Sequence, residues 1–444
     1  MSDAVAAHPG YGTKSYRAYV LGVLLVVYTF NFIDRILIGI VGEDLKHDLG
    51  VSDFQLGLLG GPAFAILYTL LGIPIARYAE RGNRITIVSI GAAVWSLMTA
   101  LCGFANSFLQ LVLARIGVGI GEAACIPPSH SAISDYFPTE RRATALSIFA
   151  LGIPIGTMMA AVGGGWLVQN FDWRSAFWLL GAPGLVAALI LKLTVREPPR
   201  VAAASKAPSF GETFKVLASK PSFWHVAFAG ALMSFVGYAN AQFLVSFTVR
   251  NYGLSIAEAS YAFGAIAGFA VAIGTFLGGF LGDRLSARHP RVLAWLPALG
   301  IAVCVPAYGL AFMQQSFGAA FAILMVAPIF HYLYLGPMFA VTQGVAEPRT
   351  RATAAALLLL IVNLIGYGLG PPTIGALADY FANQSLAAEG LALAACRTAE
   401  APAACGPAQA LGIKYALVWG LVVMVWAGVH FLIAGRTLQR DRVG

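Results

Sequence analysis

The sequence predicts an all-α integral membrane protein, twelve transmembrane helices in two six-helix bundles with both termini cytoplasmic. Three observations carry this: long apolar segments at regular intervals, basic residues gathered in alternate loops, and a repeat of about half the chain length. Of 444 residues, 59% are hydrophobic and only 11% charged, with a mean hydropathy of +0.76. A soluble protein carries about 25% charged residues to keep its surface wet. This composition excludes a cytosolic enzyme and a disordered chain. It also argues against a nucleic-acid partner, despite the net charge of +8.

A helix crossing the bilayer core needs about 20 mostly apolar residues. Twelve segments meet that length, at 18–42, 54–78, 84–105, 108–131, 143–168, 175–194, 222–249, 257–282, 291–313, 316–342, 352–378 and 411–435. They are too long for strands, lack strict alternation, and are rich in Ala, Leu and Gly. Residues 1–17 then form an N-terminal tail, 18–194 the first bundle, 195–221 a linker, 222–435 the second bundle, and 436–444 a C-terminal tail. No cleavable signal peptide is evident in the first apolar run.

With both termini inside and span-end residues counted with the adjoining loops, 21 of the 28 Lys and Arg residues fall in inside segments and 5 in outside loops, leaving Arg35 and Arg115 deep within spans. That is a strong positive-inside pattern. It assigns the excess charge to the cytoplasmic face of the cell (inner) membrane. Cys102, Cys125 and Cys304 lie in spans, where a small apolar filler is expected. Cys396 and Cys405 share the long outside loop, where an oxidising compartment would allow a disulfide.

The two halves resemble each other. Glu80-Arg81-Gly82-Asn83-Arg84 follows the second span, and Asp283-Arg284 with Arg288 follows the eighth, an offset of 203 from Glu80 to Asp283. Arg142-Ala143-Thr144-Ala145 precedes the fifth span and Arg351-Ala352-Thr353-Ala354 the eleventh, an offset of 209. Such duplication is how many transporters build two halves around a midplane site. These motifs resemble the major facilitator superfamily. Residues 279–288 match its loop motif well, whereas 76–84 depart from it at Ala76 and Glu80, where Gly and Asp are usual. Residues 111–123 resemble its fourth-span motif. Asn31-Phe-Ile-Asp34-Arg35, with Arg115 and Gly119-Ile-Gly121-Glu122-Ala123, is similar to Spinster-type lipid transporters. That resemblance implies a major facilitator fold, rocker-switch alternating access, and coupling at the matching positions.

Four strongly ionisable groups sit deep in apolar spans: Asp34, Arg35, Arg115 and Glu122. Each costs at least about 2.5–3.5 kcal/mol if unpaired. Arg115 and Glu122 are two turns apart on one face, with Gly119 between them leaving a notch. Asp34 and Arg35 point about 100° apart, so the first span can offer either one into that notch. A static salt-bridge lock is one reading. Proton coupling is the other: protonating an acid frees its arginine, and guanidinium pairs well with phosphate or carboxylate. Proton-coupling residues are therefore Asp34, Glu122, Arg35 and Arg115. Substrate-binding candidates are Arg35, Arg115, Asn31, Tyr28, Asn240 and Asn363.

The second half offers polar rather than charged groups. His331 can act as a proton acceptor or as a neutral hydrogen-bonding group at a helix contact. Glu80, Arg81, Arg84, Asp283, Arg284 and Arg288 are candidates for a cytoplasmic gate, or orientation determinants alone. Gly117-Val-Gly119-Ile-Gly121 lacks the strand context of a nucleotide loop and reads as helix packing. No metal, ATP or nucleophile motif is visible, so neither cofactor nor enzyme activity is expected. The expected partners are protons, the bilayer and a lipid or small amphipathic substrate, with the protein a monomer. The preferred function is proton-coupled transport of an amphipathic lipid with an anionic head group. The rivals are transport of small organic anions or drugs, and a membrane-embedded sensor or enzyme.

Overall fold

The computed structural model describes residues 11–200, 210–347, 350–397 and 401–443. The Lys/Ala/Ser-rich part of the expected linker, 201–209, lies outside the described residues. Among those described, twelve helices are long and apolar enough to cross a bilayer. They are α1 (Lys14–Ile40), α2 (Asp53–Ala79), α3 (Arg84–Cys102), α4 (Phe108–Tyr136), α5 (Thr144–Asn170), α6 (Trp173–Thr194), α7 (Pro221–Tyr252), α8 (Ile256–Ser286), α9 (Val292–Phe312), α10 (Phe317–Val345), α11 (Thr353–Ala387) and α12 (Cys405–Asp441).

Each expected span is thus a helix, and α7 and α12 are among those that outrun expectation, at 32 and 37 residues. At about 1.5 Å per residue, both exceed a hydrocarbon core of about 30 Å. Their surplus turns carry polar residues: Arg250 at the end of α7, and Arg436, Arg440 and Asp441 at the end of α12. Between α1 and α2 runs a short helix, Gly42–Leu49, stopped by Gly50 in the left-handed region at φ 63°. Ser52 then starts α2 with a capping box to Gln55, which satisfies two orphan N–H groups at once.

Packing groups the chain into two units, Met1–Leu37 with Ile66–Lys206, and Ile38–Ala65 with Ala207–Gly444. In the first unit, Tyr28 of α1 stacks flat on Phe149 of α5, centroids 4.4 Å apart. In the second, α7 is the most enclosed span, with 78% of its central window buried.

The repeat is visible in local structure, unit by unit. Ser107 caps α4 through the N–H of Gln110, and Ser316 caps α10 through that of Ala319. A Cβ on Gly91 of α3 would lie 2.7 Å from the Gly121 carbonyl oxygen of α4, and one on Gly300 of α9 would lie 2.5 Å from the Phe330 carbonyl oxygen of α10. Ser107 and Ser316, Gly91 and Gly300, and Gly121 and Phe330 are each 209 apart. The offset seen before α5 and α11 therefore governs the α3–α4 and α9–α10 pairs as well. Wide π-helical turns interrupt α5 at Ala160–Gly164 and α11 at Val362–Tyr367.

At both glycines a side chain would force backbone apart. Gly91→Ala and Gly300→Ala are each expected to destabilise by about 1–3 kcal/mol, the usual range for overpacking. Thermal unfolding of the detergent-purified protein, followed by size-exclusion chromatography, measures this. Gly279→Ala, where a Cβ meets nothing within 4 Å, is the matched control and should change little.

Candidate functional site

The central polar cluster lies in the first unit, between α1, α3 and α4. Its position follows from a helix break. Pro128 has no N–H to give the carbonyl of Ala124. Regular α-helix stops at Glu122, turns through 123–125, and resumes at Ile126. Glu122 therefore sits at the end of a helical segment, fully buried.

The four expected charges do meet. Arg35 Nε donates to Glu122 Oε2 at 2.7 Å, and both side chains are nearly inaccessible. The Arg35 guanidinium also lies 4.6 Å from the Tyr68 ring centroid and 5.0 Å from that of Phe32. Cation–π contact strengthens when desolvated, so both rings help to hold the charge. Arg115 of α4 meets the backbone of α1. Its Nη1 donates to the Asp34 main-chain carbonyl at 3.1 Å. Both carboxyl oxygens of Asp34 are buried with no hydrogen-bond partner among the described residues. The Asp34 carboxyl lies within electrostatic reach of Arg115, Arg35 and Glu122, and Thr99 of α3 stands beside it. Asn31 is fully buried beside Glu122. Thr99 has no charge or motif to mark it in sequence. Only its place in α3, opposite α1, selects it.

The remaining sequence candidates are placed elsewhere. Tyr28 stacks on Phe149 and packs edge-on to Phe32, a joint between α1 and α5. Asn240 and Asn363 belong to the second unit. Asn240 lies beside Tyr308, and Asn363 sits within the π-helical turn of α11. Glu80 and Arg81 are exposed at the end of α2, and Asp283, Arg284 and Arg288 at and beyond the end of α8.

Arg84 is engaged differently from those five. It is 1% exposed and donates to Asp135 at 2.5 Å, Glu197 at 2.6 Å, Ser131 at 2.9 Å and the Pro198 carbonyl at 3.0 Å. It thus ties the start of α3 to the end of α4 and to the chain leaving α6. Arg200 extends the tie by donating to the Ala79 carbonyl. Sequence inspection marked Glu197 only as part of a linker.

A further arginine site lies in the second unit. Arg250 of α7 bonds Glu43 and Asp53, each at 2.7 Å, and Lys46 adds a second base at 2.9 Å from Asp53. Asp379 of α11 accepts the N–H groups of Asp53 and Phe54, capping the start of α2. Burial pushes the Glu43 carboxyl up, but the Arg250 guanidinium outweighs it and holds the group below its ordinary value. Beside this cluster is a cavity of about 400 Å³ lined by Glu43, Lys46, His47, Asp379, Cys396 and Gln409. Cys396 and Cys405 form a disulfide in its wall, Cα atoms 5.5 Å apart.

Residues 24–371 match the Major Facilitator Superfamily. The chain belongs to that superfamily. It is 39% identical to a bacterial homolog of the human lysosomal transporter Spinster, solved in an inward-facing, unoccupied conformation. That similarity covers 98% of this chain and 100% of the other, with a TM-score of 0.89. Protein spinster homolog 1 of Xenopus tropicalis is 27% identical over 96% of this chain and 82% of its own. An MFS-type efflux pump of Mycolicibacterium smegmatis is 35% identical over 81% of this chain and 84% of its own. The protein is therefore a multi-pass membrane transporter of Spinster type, not an enzyme.

In this transporter, Arg250→Met would leave the buried Asp53 and the half-buried Glu43 carboxylates with Lys46 as their remaining base among the described residues. Removing one partner of a buried ion pair costs about 3–5 kcal/mol. The variant is expected to unfold at markedly lower temperature in the same chromatographic assay. The depressed Glu43 carboxyl gives this site a pH sign. Its stabilisation is complete above the unfolded carboxylate pKa of about 4.3 and is lost as pH falls through the lower folded value. The parent should lose thermal stability on acidification below that range, and Glu43→Gln should lose less.

Proposed function

We propose that this transporter couples proton movement to transport of an amphipathic lipid with an anionic head group, of the lysophospholipid or sphingoid phosphate type, by alternating access. The carrying observation is the unequal pairing in the central cluster: Arg35 on Glu122, and Arg115 on a main-chain carbonyl beside an unpartnered Asp34 carboxyl. A proton arriving at Glu122 cancels the charge that holds Arg35. The guanidinium stays charged at any working pH. Its donors then become available to a phosphate or carboxylate. Release of the anion restores the demand for Glu122 as a carboxylate, and the proton leaves. Asp34 is the first acceptor in this scheme, since its carboxyl makes no hydrogen bond that protonation would break. The likeness to Spinster proteins supports the lipid class.

Protons and substrate meet in the first half in this reading, with Asn31 lining the site, and Asn240 and Asn363 are the substrate-binding candidates of the second half. The concentration of basic residues in alternate loops supports cytoplasmic termini in an inner membrane. Glu80, Arg81, Asp283, Arg284 and Arg288 are the proposed cytoplasmic gate charges, with Arg84 anchoring the loop that carries the first pair.

Transport of small organic anions or drugs is the second reading. It is favoured by the 35% identity to the efflux pump. Proteoliposome uptake of labelled lysophosphatidic acid and sphingosine 1-phosphate, with and without an imposed pH gradient, separates the two. The parent is expected to accumulate lipid only with the gradient. Asp34→Asn and Glu122→Gln should lose gradient dependence, and Arg115→Ala should lose uptake by about tenfold or more, equivalent to about 1.4 kcal/mol. Full gradient dependence in Asp34→Asn would refute the coupling role. Gradient-driven uptake of a small carboxylate with no lipid movement would replace the lipid by the second reading.

A further inference from the structure

His331 occupies in α10 the place that Glu122 occupies in α4. The offset of 209 carries Glu122 to His331 and Pro128 to Pro337. Pro337 has no N–H for the Leu333 carbonyl, just as Pro128 has none for Ala124. The helix accordingly breaks directly after each titratable group, at 123–125 and at Tyr332–Tyr334. The same offset carries Thr99 to Tyr308 and Asn31 to Asn240. The polar part of the first centre is therefore present twice. The charges are not. Asp34, Arg35 and Arg115 correspond to Phe243, Leu244 and Leu324, all buried.

The second set is a connected hydrogen-bond chain with a fixed direction. His331 Nε2 lies 3.1 Å from the Met233 carbonyl oxygen. A carbonyl only accepts, so Nε2 carries the proton. Nδ1 of the neutral ring is then an acceptor, and the Tyr308 hydroxyl, 3.3 Å away, donates to it. Asn240 stands beside the Tyr308 oxygen. Tyr332 stacks on the imidazole at 4.6 Å, and His331 itself is 1% exposed.

Among the described residues no counter-charge faces this ring. The titratable groups around it are Tyr308 and Cys304 on α9, Tyr332 and Tyr334 on α10, and Tyr238 on α7. The α8 stretch 271–282 packed on this part of α10 contains none. An imidazolium here would be a buried cation without an anion, and it would also have to reverse the Tyr308 donor.

We propose that the second half holds an uncharged, non-titrating counterpart of the first centre, in which His331 is a positioning residue that orients Tyr308 and, through it, the Asn240 carboxamide. The duplicated architecture then does two jobs. One copy binds charge and protons. The other keeps a neutral hydrogen-bonding group, Asn240, in one orientation at every working pH.

The test is nitrogen-15 spectroscopy of histidine-labelled protein in lipid nanodiscs, with the His331 signals assigned by their loss in His331→Gln. The expected result is one proton, on Nε2, with no titration between about pH 5 and 8, the range in which an ordinary histidine changes charge. Tyr308→Phe should shift the Nδ1 resonance and leave Nε2 protonated. A doubly protonated ring in that range, a proton on Nδ1, or no response to Tyr308→Phe overturns the proposal. Side-chain reach gives a second arm. His331→Gln places an amide at the Nε2 position and should keep the bond to Met233, whereas His331→Asn reaches only the Nδ1 position and should keep the bond to Tyr308. The Asn variant should therefore retain more uptake of labelled sphingosine 1-phosphate than the Gln variant. Equal loss in both means the ring acts by packing alone and overturns the positioning role. Where sphingosine 1-phosphate uptake is measurable, His331→Gln should lower its rate without moving its pH midpoint, and a moved midpoint also overturns the proposal. If the parent moves no lipid, the lipid reading fails and the spectra still decide this one.

Discussion

A charge in a hydrocarbon environment must find a partner, and that constraint organises the first half of this transporter. Four ionisable groups on two helices are brought within reach of one another because each alone would cost more than a membrane helix can spare. Arg35 and Glu122 satisfy the constraint by direct pairing, helped by the rings of Phe32 and Tyr68. Arg115 satisfies it by a different device, an extra bond to the carbonyl of residue 34. A backbone carbonyl has two lone pairs, so it can serve the helix and the guanidinium together. The consequence is local but decisive: the Asp34 side chain is left close to positive charge without being consumed by it.

Duplication supplied the scaffold for this arrangement and then let its chemistry diverge. Gly91 and Gly300 set the same close helix approach, and Pro128 and Pro337 set the same break. Those residues act on the backbone, where a change would disturb packing along a whole helix. The positions that differ between the halves act through side-chain charge. Replacing Arg115 by its counterpart Leu324 removes a desolvation penalty and with it the need for a compensating anion, which is why Glu122 can correspond to a histidine. A charged centre and a neutral one can therefore share one backbone plan.

The twelve spans, the repeat and the four central residues were legible in the sequence because each is a violation of a background. Apolar runs stand out by length, and charges stand out against apolar runs. What was not legible is which atoms pair. Residue spacing left Asp34 and Arg35 equivalent as partners for the Gly119 notch. Only coordinates reveal that residue 35 enters with its side chain and residue 34 with its main chain. The ties made by Arg84 and Arg250 were hidden for another reason. Both sit at helix ends, where a charge is unremarkable, and their partners are remote in sequence: Glu197 is 113 residues from Arg84 and Glu43 is 207 from Arg250. Thr99 and Tyr308 carry no charge at all, so nothing but their neighbours distinguishes them from other helix residues.

The three arginine-centred clusters also differ in a way that separates fastening from function. Arg84 spends its donors on two carboxylates, a hydroxyl and a carbonyl. Arg250 holds Glu43 and Asp53 through both faces of its guanidinium, with Lys46 in support. In these sites each acid is engaged, so adding a proton could only weaken them. The central cluster is the exception. It holds equal numbers of acids and bases, yet both oxygens of Asp34 and one of Glu122 have no hydrogen-bond partner among the described residues. Buried polar atoms in that condition raise the energy of the resting arrangement. A proton or a new anion can relieve it, which a fully satisfied network would resist. Incomplete satisfaction at the centre, in a chain whose helix-end ties are well satisfied, is the physical condition under which binding can do work on this fold.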